Sequence, residues 1–160
     1  MTAYPFPAGN VVWQPADIVA LLCQPGYMSP DDWRPITGTA VVLAESGGNP
    51  LAVGKTIWKP ASREHLSVDL GMFQLNSANN VEADPYPDIR RITIADCFDP
   101  WQAWAHTWRL INKQRPGWSY NWRNWMGYTS GAYSKHEPAA LNGMKTYRST
   151  VGLPVGVFAA

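Results

Sequence analysis

Apolar residues in this chain recur mostly every three or four positions, the spacing of helices buried on one side. Ile18, Val19, Leu21 and Leu22 give a first segment an apolar face. Pro15 and Asp17 suit its first turn, and Pro25-Gly26 is expected to end it. Ser29-Pro30-Asp31-Asp32 reads as a second helix start with Ser29 as N-cap, which Pro35 breaks or restarts. From Ile36, the run ITGTAVVLAE puts Ile36, Ala40, Leu43 and Ala44 on one face, and Gly47-Gly48 stops it. The clearest helix opens at Asp99-Pro100. Trp101, Trp104, Ala105, Trp108 and Ile111 follow the i, i+3, i+4, i+7, i+10 pattern of one buried stripe, and Pro116-Gly117 closes it. Trp122, Trp125 and Tyr128 suggest another helical piece. Pro138 to Arg148 forms a last short helix, weakened by Asn142-Gly143. Between these helices, residues 50–70 predict a small β-hairpin or irregular lobe, and residues 80–99 a polar loop. An irregular arm of about residues 1–12 and a tail of about 149–160 complete a single domain, 1–160, with no repeat or linker. The expected class is α+β, mostly α-helical.

Composition narrows the partners. A chain of 160 residues is long enough for one buried core. With 46% apolar and 16% charged residues it reads as globular. Thirteen basic and 12 acidic side chains leave a net charge of +1, which gives no electrostatic case for nucleic acid or for a membrane surface. No run of 18 apolar residues suits membrane insertion. Cys23 and Cys97 do not make a disulfide scaffold; two buried, reduced thiols are expected, with a single bridge as the alternative. His65, His106 and His136 are scattered without the paired spacing of a zinc site, so neither a metal nor a cofactor is expected. A Cys–His peptidase would need Cys23 or Cys97 as nucleophile, and neither sits in a supporting motif.

Two segments hold the candidate chemistry. Glu45 ends an apolar helix beside Leu43 and Ala44. Partial burial and the negative end of a helix both disfavour a carboxylate, and a carboxyl kept protonated can give its proton to a leaving oxygen. The ordinary alternative is an exposed Glu at a helix end. Asp69 lies 24 residues further on, just before Gly71. An acid and a carboxylate on opposite sides of a bond are what glycosidic cleavage commonly uses. Gln74 and Asn76, two residues apart, would share one face of a strand, where their amides suit sugar hydroxyls and N-acetyl groups. The ordinary reading of this second segment is a turn and strand with polar capping. The helix-stripe tryptophans Trp101, Trp104 and Trp108 read as core. Trp58, Trp118 and Trp122 fall outside that periodicity and are candidates to pack on a sugar face.

These segments, ESxxNxxA and SxDxGxxQxNS, resemble the active-site signature of the lysozyme superfamily, carried here by Glu45, Ser46, Asn49 and Ala52, then Ser67, Asp69, Gly71, Gln74, Asn76 and Ser77. The likeness is closest to chicken-type lysozymes and to short lytic transglycosylase-like domains of bacteria and bacteriophages. A third block, Trp122 to Tyr133, is similar to the WxxWxxYxxGxY block of phage lysozyme-like domains. The resemblance spans roughly residues 26–134. It implies a lysozyme-like fold with a small β lobe beside an active-site cleft. It implies cleavage of peptidoglycan strands at the β-1,4 bond between N-acetylmuramic acid and N-acetylglucosamine. Glu45 would be the general acid and Asp69 the stabiliser of the cation or the nucleophile. Ser46, Gln74, Asn76, Tyr128 and Tyr133 would bind substrate.

The chain departs from the pattern in three places. Thr129 follows Tyr128 where transglycosylases often have Asn, the gap from Glu45 to Asp69 is longer than in chicken-type lysozymes, and that family's disulfides are missing. Asp69 tilts the expectation toward a hydrolysing muramidase. The alternatives are a lytic transglycosylase leaving 1,6-anhydro ends, or a non-catalytic glycan-binding or structural phage tail component. The first ten residues lack the basic-then-apolar pattern of a signal peptide. The expectation is therefore a phage protein, in the virion or tail or in host cytoplasm before release, acting on the cell wall, with other virion proteins as further partners.

Overall fold

The computed structural model describes residues 2–58, 65–77, 81, 91–112, 122 and 125–156. The chain divides into two compact units. One joins Met1–Gly48 to Asn121–Ala160, and the other is Asn49–Tyr120.

The first unit is helical. Helix α1 (Pro15–Leu22) has only eight residues, too few to be stable alone in water. It persists because Ile18, Val19, Ala20, Leu21 and Leu22 are all fully buried, each large apolar side chain contributing about 1.5–3 kcal/mol. Asp17 braces its start, accepting from the Gln14 N–H at 2.7 Å and from the Tyr4 hydroxyl at 2.8 Å. The helix ends at Leu22, earlier than Pro25-Gly26 suggested.

The helix expected from Ser29 is absent. Ser29 Oγ instead accepts from the Asp31 N–H within a turn, at 3.2 Å. Helix α2 (Arg34–Ser46) starts one residue before Pro35, which occupies the first turn where a proline's missing N–H does no harm. Gly47 closes it in the left-handed conformation, at φ 65°, as a C-terminal glycine does.

Helix α5 (Met126–Thr129) and a 3₁₀ segment, Ala132–His136, lead into α6 (Glu137–Val151). This last helix runs 15 residues, longer than expected. Gly143 does not weaken it but lets it approach α1, since a β-carbon there would lie 2.6 Å from the Pro15 side chain. Val19, Ala20 and Cys23 meet Met144, Tyr147 and Val151 in one core cluster, against which Tyr4, Phe6, Ile36 and Leu153 pack. Trp122 is buried as well, its ring against Gly38, so this tryptophan is core and offers no open face to a sugar.

The second unit contains the expected hairpin. Strand β1 (Val53–Trp58) pairs antiparallel with β2 (His65–Leu70), in register from Val53 opposite Leu70 to Trp58 opposite His65. A two-residue β3 (Leu75–Asn76) adds to the other edge of β2 and sets Asn76 opposite Asp69.

Part of the expected 80–99 loop is helical. Thr93 caps α3 (Ile94–Phe98), its Oγ1 accepting from the Asp96 N–H at 3.1 Å while Asp96 accepts from the Thr93 N–H at 3.2 Å. Helix α4 (Pro100–Asn112) follows, with Asp99 Oδ1 accepting from the N–H groups of Trp101 and Gln102. Its buried side differs from the expected stripe. Ala103, Trp104, His106, Thr107 and Ile111 are buried, Trp108 is half-buried, and Trp101 is 40% exposed. Phe73 stacks on Trp104 with ring centroids 5.6 Å apart, tying the sheet's turn to α4. The expected stop at Pro116-Gly117, together with Trp118, lies outside the described residues.

Candidate active site

Glu45 is the next-to-last residue of α2 and is half-buried. The sequence after it makes a locked exit from the helix. Ser46 Oγ donates to the Val42 carbonyl at 3.1 Å and accepts from the Gly48 N–H at 3.2 Å. Gly47 and Gly48 both have positive φ, a conformation that side chains disfavour. A β-carbon on Gly48 would also strike the Trp13 carbonyl oxygen. The Trp13 N–H donates to the Gly48 carbonyl at 2.9 Å, pinning the turn to the N-terminal arm. Ser46, a candidate for substrate binding, is thus seen here holding the end of the helix.

The carboxyl group is held from the other side. The Gly127 N–H, in the first turn of α5, donates to Glu45 Oε1 at 2.5 Å. No side chain could stand at 127 without disturbing this bond. A β-carbon there would lie 2.9 Å from Oε1 and 3.0 Å from the Ala44 β-carbon. The next residue, Tyr128, stacks on Tyr133 with centroids 5.0 Å apart and planes 18° apart, both rings half-buried. Glu45, Ser46, Tyr128 and Tyr133 all belong to the first unit.

Asp69, Gln74 and Asn76 belong to the second. The Asn76 amide, opposite Asp69 in the sheet, donates to Asp69 Oδ1 at 2.8 Å. The neighbouring Ser77 Oγ accepts from the Val68 N–H at 3.0 Å, securing the β2–β3 edge. Gly71 has φ 72°, and a β-carbon there would collide with the Cys97 carbonyl oxygen.

Gln74 corrects one expectation. It lies in the turn before β3, at φ 48°, and not on a strand face shared with Asn76. Its amide donates to the Gly71 carbonyl at 2.8 Å and reaches the Ala52 carbonyl at 3.5 Å. Its oxygen lies over Gly54, where a β-carbon would come within 2.6 Å. The side chain therefore braces the turn that carries Asp69 and Asn76 at its two ends. The side chains of Trp58 and Ser67, and residues Arg123 and Asn124 of the third block, lie outside what is described.

Sequence reading missed Gly127 and Gly54. Gly127 meets Glu45 across 82 residues, and its only mark in the sequence is a glycine inside the Trp-rich third block.

The chain is mostly helical with a small antiparallel sheet, and the family it matches is of the lysozyme-like class. Residues 31–150 match the family described as Transglycosylase SLT domain, and the chain belongs to that family. Its members are lytic transglycosylases and lysozyme-like enzymes acting on peptidoglycan. No match was found among curated proteins or solved structures.

Proposed function

We propose that this enzyme cuts the β-1,4 bond between N-acetylmuramic acid and N-acetylglucosamine, with Glu45 as the proton donor. The observation that carries this reading is the Glu45 carboxyl group itself, half-buried at the end of α2 with one oxygen fixed by the Gly127 N–H. A carboxyl group so oriented can protonate the glycosidic oxygen as the C1–O bond breaks, leaving a cation-like sugar at C1.

The family favours a particular ending. The 6-hydroxyl of the muramic acid adds to its own C1, forming a C–O bond and releasing its proton to the Glu45 carboxylate. The product is a 1,6-anhydro ring, and the acid is restored. A second reading, hydrolysis, is favoured by Asp69. The Asn76 amide donates to Asp69 Oδ1, orienting a carboxyl group that would shield or capture the cation. Water would then add to C1. The likeness of the third block to phage domains supports a phage source, working either free after lysis or mounted on the virion with other virion proteins.

Digestion of purified peptidoglycan followed by mass spectrometry separates the two endings, because the products differ by one water. Anhydro-muramyl ends are expected, and saturated reducing ends would establish hydrolysis instead. Asp69→Asn adds a second measure. Near-normal release of anhydro ends fits the transglycosylase, whereas a large loss fits the hydrolase. Failure to clear purified cell walls at any pH would leave only glycan binding or a structural role.

A further inference from the structure

Glu45 and Gly127 together carry more than the assignment of an acid. A backbone N–H donates only to a lone pair, and the carbonyl oxygen of a protonated carboxyl is a better acceptor than its hydroxyl oxygen. The Gly127 N–H donates to Oε1 at 2.5 Å, which favours Oε2 as the oxygen that carries the proton of the neutral acid. When that proton leaves, negative charge spreads over both oxygens and the bond to Oε1 becomes charge-assisted, roughly twice as strong as a neutral one. An interaction that strengthens as the proton departs stabilises the transition state more than the ground state.

We infer that Gly127 is a positioning residue for the reaction: its N–H keeps the Glu45 proton on Oε2, and its lack of a side chain leaves the carboxyl the room to be held there. The inference rests on Glu45 being the acid. The rest of the local structure fits this role. Trp125, just before α5, is buried and its ring packs edge-on against Trp122, which in turn fills the notch at Gly38 of α2. The N–H is thereby anchored to the helix that carries Glu45.

Gly127→Ala tests this. The new β-carbon would lie 2.9 Å from Oε1, so the carboxyl group must swing away and the bond lengthen. Misplacement of a reacting group by about 1 Å can cost roughly 10²-fold in rate. On soluble, uncrosslinked glycan strands, kcat is expected to fall by about that factor with KM nearly unchanged. The alkaline limb of the pH–rate profile is expected to move to higher pH, because the carboxylate loses a donor. A purely structural role would lower the rate equally at every pH and leave the limb in place, which would overturn the inference. So would near-wild-type kcat.

A second measurement needs no folded Gly127 variant. In the native protein the amide proton of Gly127, followed by NMR, is expected to titrate with the same midpoint as the alkaline limb, and to be flat in Glu45→Gln. A Gly127 amide indifferent to pH across that limb would overturn the inference. An active Glu45→Gln enzyme would instead remove the acid assignment beneath it. An inactive Glu45→Gln with an unperturbed Gly127→Ala would remove the positioning role alone.

Discussion

At the residue scale, Glu45→Gln separates chemistry from structure. The amide oxygen of Gln still accepts from the Gly127 N–H, so circular dichroism is expected to match the native protein. Gln cannot act as the proposed proton donor, so cell-wall clearing is expected to fall by about 10²–10⁴-fold, the usual contribution of a general acid. Clearing close to native would remove Glu45 from the mechanism. Gln74 offers a different test. Its backbone sits at φ 48°, which costs a side-chain-bearing residue roughly 1–2 kcal/mol, and its amide returns about 0.5–1.5 kcal/mol per net hydrogen bond. Ala at 74 keeps the backbone cost and loses the brace. Gly loses the brace but removes the cost. Urea unfolding is therefore expected to place Gln74→Ala below both the native protein and Gln74→Gly, with those two close together. A Gln74→Ala protein as stable as the native one would show that the brace contributes nothing.

At the element scale, α4 shows where periodicity stops being informative. A run of tryptophans at helical spacing correctly implies a helix from Pro100. It does not say which side turns inward, because aromatic residues fit half-exposed positions as well as cores. The small residues Ala103 and Thr107 mark the buried side better than Trp101 does. Trp104→Ala is accordingly expected to destabilise by about 3–5 kcal/mol, and the more exposed Trp101→Ala by distinctly less, as read from thermal or urea unfolding. Equal losses would mean that Trp101 packs in solution as Trp104 does. Helix α3 was illegible for another reason. Five residues are too few for a period to repeat, although its Thr93–Asp96 capping pair was present as a local signal. The C-terminal end of α2 was legible because its cap glycine acts over short range. The Glu45–Gly127 bond was not, because nothing local marks a contact made across 82 residues.

At the scale of the whole molecule, a buried histidine in the second unit is expected to make stability sensitive to acid. Burial first, and Arg109 second, hold His106 below its usual pKa. An unfolded histidine takes up a proton below about pH 6.5, whereas His106 in the fold does so only at lower pH. In that window the unfolded chain binds more protons, so stability falls as pH falls. The urea midpoint is expected to drop between about pH 7.5 and about pH 5, and to drop less in His106→Gln. An identical drop in both proteins would assign the acid sensitivity to other groups.

Each unit also holds one buried thiol. Burial pushes Cys23 up to about 12 and Cys97 up to about 11, so neither offers a thiolate at neutral pH while folded. The cover over Cys23 comes from Met144, Tyr147 and Val151 of α6, which is synthesised after the second unit, Asn49–Tyr120. During synthesis the middle of the chain can therefore close before its two ends do. On stalled nascent chains, Cys97 should become resistant to alkylation first. Cys23 should stay reactive until the chain has emerged past residue 151, and Gly127, the hydrogen-bond partner of Glu45, is likewise supplied only by the late segment.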